Sequence, residues 1–246
     1  MPKFFITNNQ IKNNKIYLIG DDVKHIANVL RKQVGCKINI CNMETSDNFL
    51  CEIEEINKDS IKCKIIETIK SEAESDIDIT IFQGIPKAEK MELIIQKCTE
   101  LGVKHFIPVQ MERCVVKLDD RTQKKKLERW QKIAETAAKQ SGRDIVPTVE
   151  NSINLAKLCN LIQKYDIVLL AYENEKENKL KDELKNIKNK KDLKIGIIIG
   201  PEGGIEKQEI EKMQLAGAKV ITLGKRILRT ETVGISITSI IMYELE

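Results

Sequence analysis

Two short segments of this 246-residue chain carry residue types at spacings that chemistry can use. The first is Ile195-Gly196-Ile197-Ile198-Ile199-Gly200-Pro201-Glu202-Gly203-Gly204-Ile205, an apolar strand that runs into a Gly-rich turn ahead of Glu206. Glycine lets a backbone turn tightly and approach a ligand closely, and open α/β sheets bind ligands at this edge. A plain strand-to-helix turn is the alternative, but two residues would suffice for it, and five with a rigid Pro look selected for shape. Two familiar loops fail. Gly200-Pro201-Glu202-Gly203 offers only half of the dinucleotide fingerprint, and before Gly224-Lys225 a phosphate loop would need a Gly where Lys219 stands.

The second segment is Leu223-Gly224-Lys225-Arg226-Ile227-Leu228-Arg229-Thr230-Glu231-Thr232, which again leaves a strand and enters a helix. Arg229 and Glu231 flank Thr230, a residue type suited to N-capping the last helix. Both readings stay open here: a capped helix with a surface ion pair, or a functional loop carrying a cation and a carboxylate. Leu170-Ala171-Tyr172-Glu173 closes a strand in the same way. Three such loops at one sheet edge make a cleft.

A third feature is electrostatic. Arg113, Lys117, Arg121, Lys124, Lys125, Lys126, Arg129, Lys132, Lys139 and Arg143 stand against Asp119, Asp120, Glu128 and Glu135, a local excess larger than the whole chain's net charge of +4. A charge run on a helix is usually a solvated face. Concentrating this much of it in one segment favours a phosphate-tracking surface. His25 sits beside Lys24, Arg31 and Lys32, and His105 begins an apolar strand; neither adjoins a nucleophile, so neither is assigned to catalysis. The seven cysteines form no C-x-x-C pair and stand beside only two histidines, so no metal site is expected. They read as small core residues, reduced in a cytoplasmic protein.

The elements that must position these segments fall into two groups. Up to about residue 70, short Ile- and Cys-rich strands over 15–18, 37–41, 49–56 and 61–67 surround one helix over 22–33, which suggests a small β-barrel. The polar stretch 71–76 reads as a linker. Beyond it, strands over 79–83, 105–110, 146–149, 166–171, 195–199 and 219–223 alternate with helices over 87–101, 122–141, 154–163, 175–190, 206–216 and 232–245. That alternation implies a parallel sheet covered on both faces. With aromatics at 4% of residues, the core must be aliphatic. Neither a signal peptide nor a membrane-length apolar run is found.

Taken together these residues resemble the RsmE family of 16S rRNA uridine-N3 methyltransferases, of the SPOUT superfamily. The resemblance is carried by the two loop segments and by Lys97-Cys98-Thr99-Glu100-Leu101-Gly102-Val103, Glu112-Arg113-Cys114-Val115-Val116, Gln140-Ser141-Gly142-Arg143-x-x-Val146-Pro147 and His25-x-x-x-Val29-Leu30-Arg31. It implies an N-terminal PUA-like β-barrel domain over 1–72 that grips RNA. It further implies an α/β, parallel-sheet SPOUT domain over 73–246 whose chain end is threaded into a trefoil knot. A homodimer acting on 16S rRNA of the small ribosomal subunit is implied, with no membrane or metal partner. S-adenosyl-L-methionine is the implied cofactor, held around Leu170, Ala171, Gly200, Pro201, Glu202, Gly203, Gly204, Leu223, Gly224, Ile227, Leu228 and Arg229. Arg229 and Glu231 are the implied catalytic residues. The candidate RNA contacts are His25, Arg31, Arg113, Lys124, Lys125, Arg129 and Arg143. The chain departs from the family at Val233-Gly234-Ile235-Ser236, where an Ala-rich helix is usual, and Gly inside a helix costs about 1 kcal/mol.

Uridine N3 is an imide nitrogen that must lose its proton before it attacks a sulfonium methyl, a reaction that needs in-line placement and no metal. Two rival readings exist. A ribose 2′-O-methyltransferase of the same superfamily would show an early Asn-x-x-Arg and a late Ser-Leu-Asn, which are missing. A non-catalytic RNA-binding assembly factor would use the barrel and the basic helix alone and would not bind S-adenosylmethionine.

Overall fold

The computed structural model describes residues 3–70, 73–117, 119–188 and 190–246. The chain divides into two units, Met1–Glu74 with Ala138–Val146, and Ser75–Ala137 with Pro147–Glu246.

In the first unit, β1 (Lys3–Ile6), β2 (Ile11–Lys12), β3 (Lys15–Ile19), β4 (Lys37–Asn42), β5 (Asn48–Ile56) and β6 (Ser60–Ile69) form a curled sheet in the order β1-β4-β5-β6-β3-β2. Period-two alternation puts Ile38, Ile40, Cys51, Ile53, Ile61 and Cys63 on one face, where they pack with Phe4, Ile6, Ile16 and Leu18. The short β1 lay below the resolution of sequence pattern; it joins as a parallel edge beside β4. The helix expected over 22–33 is shorter: α1 (Asp21–Lys24) widens into a π-helical turn over His25–Val29 and stops before Arg31, which takes φ 49°. The 71–76 stretch falls partly outside the described residues. Its Glu74 carboxylate binds the Arg143 guanidinium at 2.7 and 3.1 Å and accepts the backbone N–H of Asp144 and Ile145, while Lys3 pairs with Asp144.

The second unit contains β7 (Asp78–Gly84), α2 (Lys90–Glu100), β8 (His105–Gln110), α3 (Asp120–Ser141), β9 (Thr148–Val149), β10 (Ile153–Asn154), α4 (Leu155–Ile162), β11 (Ile167–Ala171), α5 (Leu180–Lys185), β12 (Lys194–Ile199), α6 (Lys207–Leu215), β13 (Lys219–Ile221) and α7 (Thr230–Leu245). The end of α3, from Ala138, counts with the first unit. The strands are parallel in the order β10-β8-β7-β12-β11-β13, with β9 on β8. β12 lies between β7 and β11, and five of its six residues are buried, as a strand covered on both faces requires. One aliphatic core lies under α2, α5 and α7 and the other under α4 and α6. Gly234, the unusual helix glycine, has a packing reason: a Cβ there would sit 3.2 Å from Ile199 Cδ1 and 3.3 Å from Cys98 Sγ. The bare backbone lets α7 settle on α2 and β12.

Two expectations were too long. Pro147 has no N–H to donate, and the strand expected over 146–149 shrinks to β9. The helix expected over 175–190 is reduced to α5, because the Glu175 carboxylate accepts the backbone N–H groups of Lys176, Glu177 and Asn178 and closes a turn instead. The seven cysteines are free thiols, five of them buried. Burial pushes the Cys51 and Cys63 thiols up to about 12, so they remain protonated hydrophobic fillers. No helix among the described residues is long and apolar enough to cross a membrane.

Candidate active site

The carboxyl ends of β11, β12 and β13 open onto one edge of the sheet, and their loops enclose a cleft of about 380 Å³. That volume lies within the range of about 300–1,000 Å³ usual for small-molecule sites. Its wall is Ala171 and Glu173 after β11, Ile199–Gly200–Pro201–Glu202 with Gly204 and Ile205 after β12, and Ile227–Leu228–Arg229–Thr230 with Val233 at the start of α7. Lys90, at the start of α2, completes it. Leu223 and Gly224 line a smaller adjoining pocket that shares Ala171, Ile227 and Leu228. The three-loop cleft expected from sequence is therefore present, with an apolar floor and acids at its rim.

The β12 loop is held by three clamps. Arg113 Nε donates to Glu206 Oε1 at 2.7 Å and its Nη1 to the Gly203 carbonyl at 3.1 Å. Lys87 N–H donates to Glu202 at 3.1 Å, with Lys90 Nζ 3.1 Å from the same carboxylate. Thr230 Oγ1 donates to the Gly200 carbonyl at 2.7 Å and accepts from buried Gln83 Nε2 at 2.9 Å. Arg113 holds the Glu206 carboxyl below its usual range. At Glu202, burial pushes upward, but backbone N–H groups and Lys90 outweigh it and the net direction is down. Both acids are thus carboxylates near neutrality.

Thr230 is not the N-cap expected of it. Arg229 occupies that position, and the Thr230 hydroxyl turns inward to the β12 loop. Gly203 faces Arg113 rather than the cleft; a Cβ there would meet Arg113 Cβ at 3.0 Å and its carbonyl oxygen at 3.1 Å. Leu170 is buried behind Ala171. The two catalytic candidates part company. Arg229 is exposed at the cleft, and its guanidinium has no hydrogen-bond or ion-pair partner among the described residues. Glu231 does not line the cleft; its side chain is 15% exposed and turns to Lys90, 3.3 Å away. Lys90 was missed in the sequence. Its signal was a cation in the first turn of a helix, where the dipole disfavours it.

The basic residues sort by partner. Arg113 clamps the β12 loop and Arg143 is buried against Glu74, so both have structural work where phosphate contact was expected. Arg129 is exposed but bonded to Glu92 at 2.8 Å. Lys139 pairs with Asp22. Lys124 and Lys125 project from α3, exposed, and Arg31 is exposed on the first unit. His25 is half-buried with its ring edge-on to Phe4.

A parallel sheet with its cleft at this edge, preceded by a small β unit, is the build of an RNA methyltransferase: that domain family matches residues 73–242, and the RNA methyltransferase PUA domain matches 18–66. The Ribosomal RNA small subunit methyltransferase E of Bacillus subtilis is 39% identical over 251 residues, covering 100% of this chain and 98% of that protein. The protein of the same name from Mesomycoplasma hyopneumoniae is 32% identical, covering 96% of each. The crystal structure of the Neisseria gonorrhoeae protein of that name, bound to S-adenosyl methionine, matches with a TM-score of 0.87 at 30% identity, covering 99% of this chain and 97% of that one. The chain belongs to the ribosomal RNA small subunit methyltransferase E family.

Proposed function

We propose that this enzyme methylates N3 of a uridine in 16S rRNA of the small ribosomal subunit, using S-adenosylmethionine bound in the three-loop cleft. The observation that carries the reading is the placement of an unpartnered, cleft-facing Arg229 beside a Gly-rich loop of fixed shape. The cleft fits the cofactor's chemistry. Ile199, Ile205, Ile227, Leu228 and Val233 suit an adenine ring, and Glu173 and Glu202 suit a molecule carrying a sulfonium and an ammonium. Bound there, S-adenosylmethionine supplies an electrophilic methyl.

The chain's own residues do the rest. Ala171, Gly200, Pro201, Glu202, Gly204, Ile227 and Leu228 bind from the main cleft, and Leu223 and Gly224 from the adjoining pocket; Leu170 and Gly203 shape the loops from behind. Arg229 donates to the uracil carbonyl oxygens on which negative charge develops as N3 loses its proton. The pairing edge must be free, so the uridine is unpaired or flipped. Lys124, Lys125 and Arg129 on α3, and Arg31 with His25 on the first unit, are the RNA contacts in this reading. The domains are assigned as 1–72 for RNA grip and 73–246 for methyl transfer, with the chain end threaded as in the SPOUT superfamily. A homodimer in the cytoplasm is part of the same proposal; the exposed apolar Ile240 and Tyr243 of α7 support a protein-covered face.

The deciding experiment incubates the protein with labelled S-adenosylmethionine and small ribosomal subunits, then combines nucleoside mass spectrometry with primer extension. The expected product is 3-methyluridine with one reverse-transcriptase stop. Finding 2′-O-methyluridine or 5-methyluridine would overturn the regiochemistry, and no transfer at all would favour an assembly factor. Sedimentation should show a dimer.

A further inference from the structure

Lys90 stands where helix electrostatics disfavours a cation, in the first turn of α2. Two carboxylates from other elements compensate it. Glu202 Oε1, from the β12 loop, is 3.1 Å from its Nζ, and Glu231 Oε2, from the first turn of α7, is 3.3 Å away. Glu202 is itself fixed by the Lys87 N–H. Glu231 Oε2 is buried and makes no hydrogen bond among the described residues, so the Lys90 charge is what balances it. Of this trio, Glu202 and Lys90 line the cleft and Glu231 does not. The Glu202 carboxylate, with Glu231 after it, holds the Lys90 ammonium above its usual range against the opposing pull of burial.

We propose that Lys90 is a catalytic residue of the methyl transfer, hydrogen-bonding a carbonyl oxygen of the target uracil, and that Glu231 acts through it as a positioning residue. This rests on reading the cleft as the uridine-N3 site. As N3 gives its proton to water, negative charge spreads to the two flanking carbonyl oxygens. Arg229 takes one and Lys90 the other, both staying protonated. The N3–methyl bond then forms as the methyl–sulfur bond breaks, its electron pair going to sulfur. Glu231 keeps Lys90 charged and aimed. The groups governing the Lys90 charge are Glu202 and Glu231, with Glu173 and Arg229 the other ionisable side chains at the cleft wall.

The test uses the wild type, Lys90→Gln, Lys90→Arg and Glu231→Gln in the full chain. A wild type that forms no 3-methyluridine overturns the functional reading and the role of Lys90 with it, whereas a wild type that forms it beside a Lys90→Gln of unchanged kcat overturns the role of Lys90 alone. Lys90→Gln should lower kcat about 100-fold, the usual loss for one such donor, while the Kd for S-adenosylmethionine by calorimetry stays within about 3-fold. Lys90→Arg should restore part of kcat. Glu231→Gln should move the alkaline limb of the kcat–pH profile to lower pH, since one of the two acids sustaining the ammonium is gone. The proposal is overturned if Lys90→Gln weakens S-adenosylmethionine but not its decarboxylated analogue while sparing kcat, which would make Lys90 a cofactor-carboxylate ligand. It is overturned equally if Glu231→Gln removes the acid limb, which would make Glu231 the proton acceptor.

Discussion

The Thr230 hydroxyl lies 2.7 Å from the carbonyl oxygen of Gly200, thirty residues earlier, and ties the first turn of α7 to the mouth of β12. Gln83, from a third strand, donates to the same hydroxyl. Thr230→Val removes a donor and an acceptor from a site that is 8% exposed, leaving the Gly200 carbonyl with only the 3.4 Å contact from Gln83 Nε2, which keeps the Gly84 carbonyl at 2.9 Å. The loss expected is about 1–3 kcal/mol, read as a fall in urea midpoint at unchanged slope. Thr230→Ser should recover most of it.

Gly203→Val places a branched side chain against Arg113 and displaces the guanidinium from Glu206 and the Gly203 carbonyl. The β12 loop loses a clamp without disturbing the core. Affinity for S-adenosylmethionine should fall at least about tenfold, or about 1.4 kcal/mol, with circular dichroism unchanged. Undiminished affinity in the folded variant would remove this loop from the binding site.

The clamps also fix a pH window. Glu202 and Glu206 have depressed carboxyls, so what they contribute is fully present above the ordinary 4.5 and disappears as pH falls through their lower folded values. Lys90 is raised, so its contribution is full below the ordinary 10.5 and disappears only as pH climbs past its higher folded value. Cofactor affinity measured by calorimetry should be flat above the acid limit and weaken below it, whereas the alkaline limit set by Lys90 should appear in kcat. A decline beginning near pH 6 would point to a group other than these three.

On α3, Lys124 and Lys125 are exposed cations without a structural partner among the described residues, whereas Arg129 on the same helix and Arg143 just beyond it are engaged. Neutralising Lys124 and Lys125 should flatten the log–log salt dependence of RNA binding by about 1.4, at roughly 0.7 per phosphate contact on single strands. An unaltered slope makes the helix a solvated face. Arg143→Ala, by contrast, should destabilise the first unit by leaving the half-buried Glu74 without its charge partner.

The sheet and its ligand edge were legible because β12 is an unbroken apolar run ending in Gly200-Pro201-Glu202-Gly203-Gly204, a pattern that local physics explains. Arg229 was legible for the same reason. Lys90 was not, because its meaning lies in carboxylates more than a hundred residues away that converge only once α2, β12 and α7 are packed. The partners of Arg113 and Arg143 were hidden by the same limit. A tally of charges finds a basic segment, but it cannot see that Glu206 and Glu74 neutralise two of its members. Thr230 showed the residue type of a cap, and only the packed loop reveals that its hydroxyl points the other way.

The first unit is built from two pieces of chain, and Phe5 and Cys41 of one piece share a small core with Ala138 and Val146 of the other. Glu74 waits in the same way for Arg143, and Lys3 for Asp144. On the ribosome, where domains generally form in order of emergence, this N-terminal unit cannot close when its last strand appears. It must remain incomplete while more than sixty further residues are made, and a fragment released at residue 72 never receives its missing wall. The enzyme's first-synthesised part is thus finished only when the second is well under way, which couples the birth of the two.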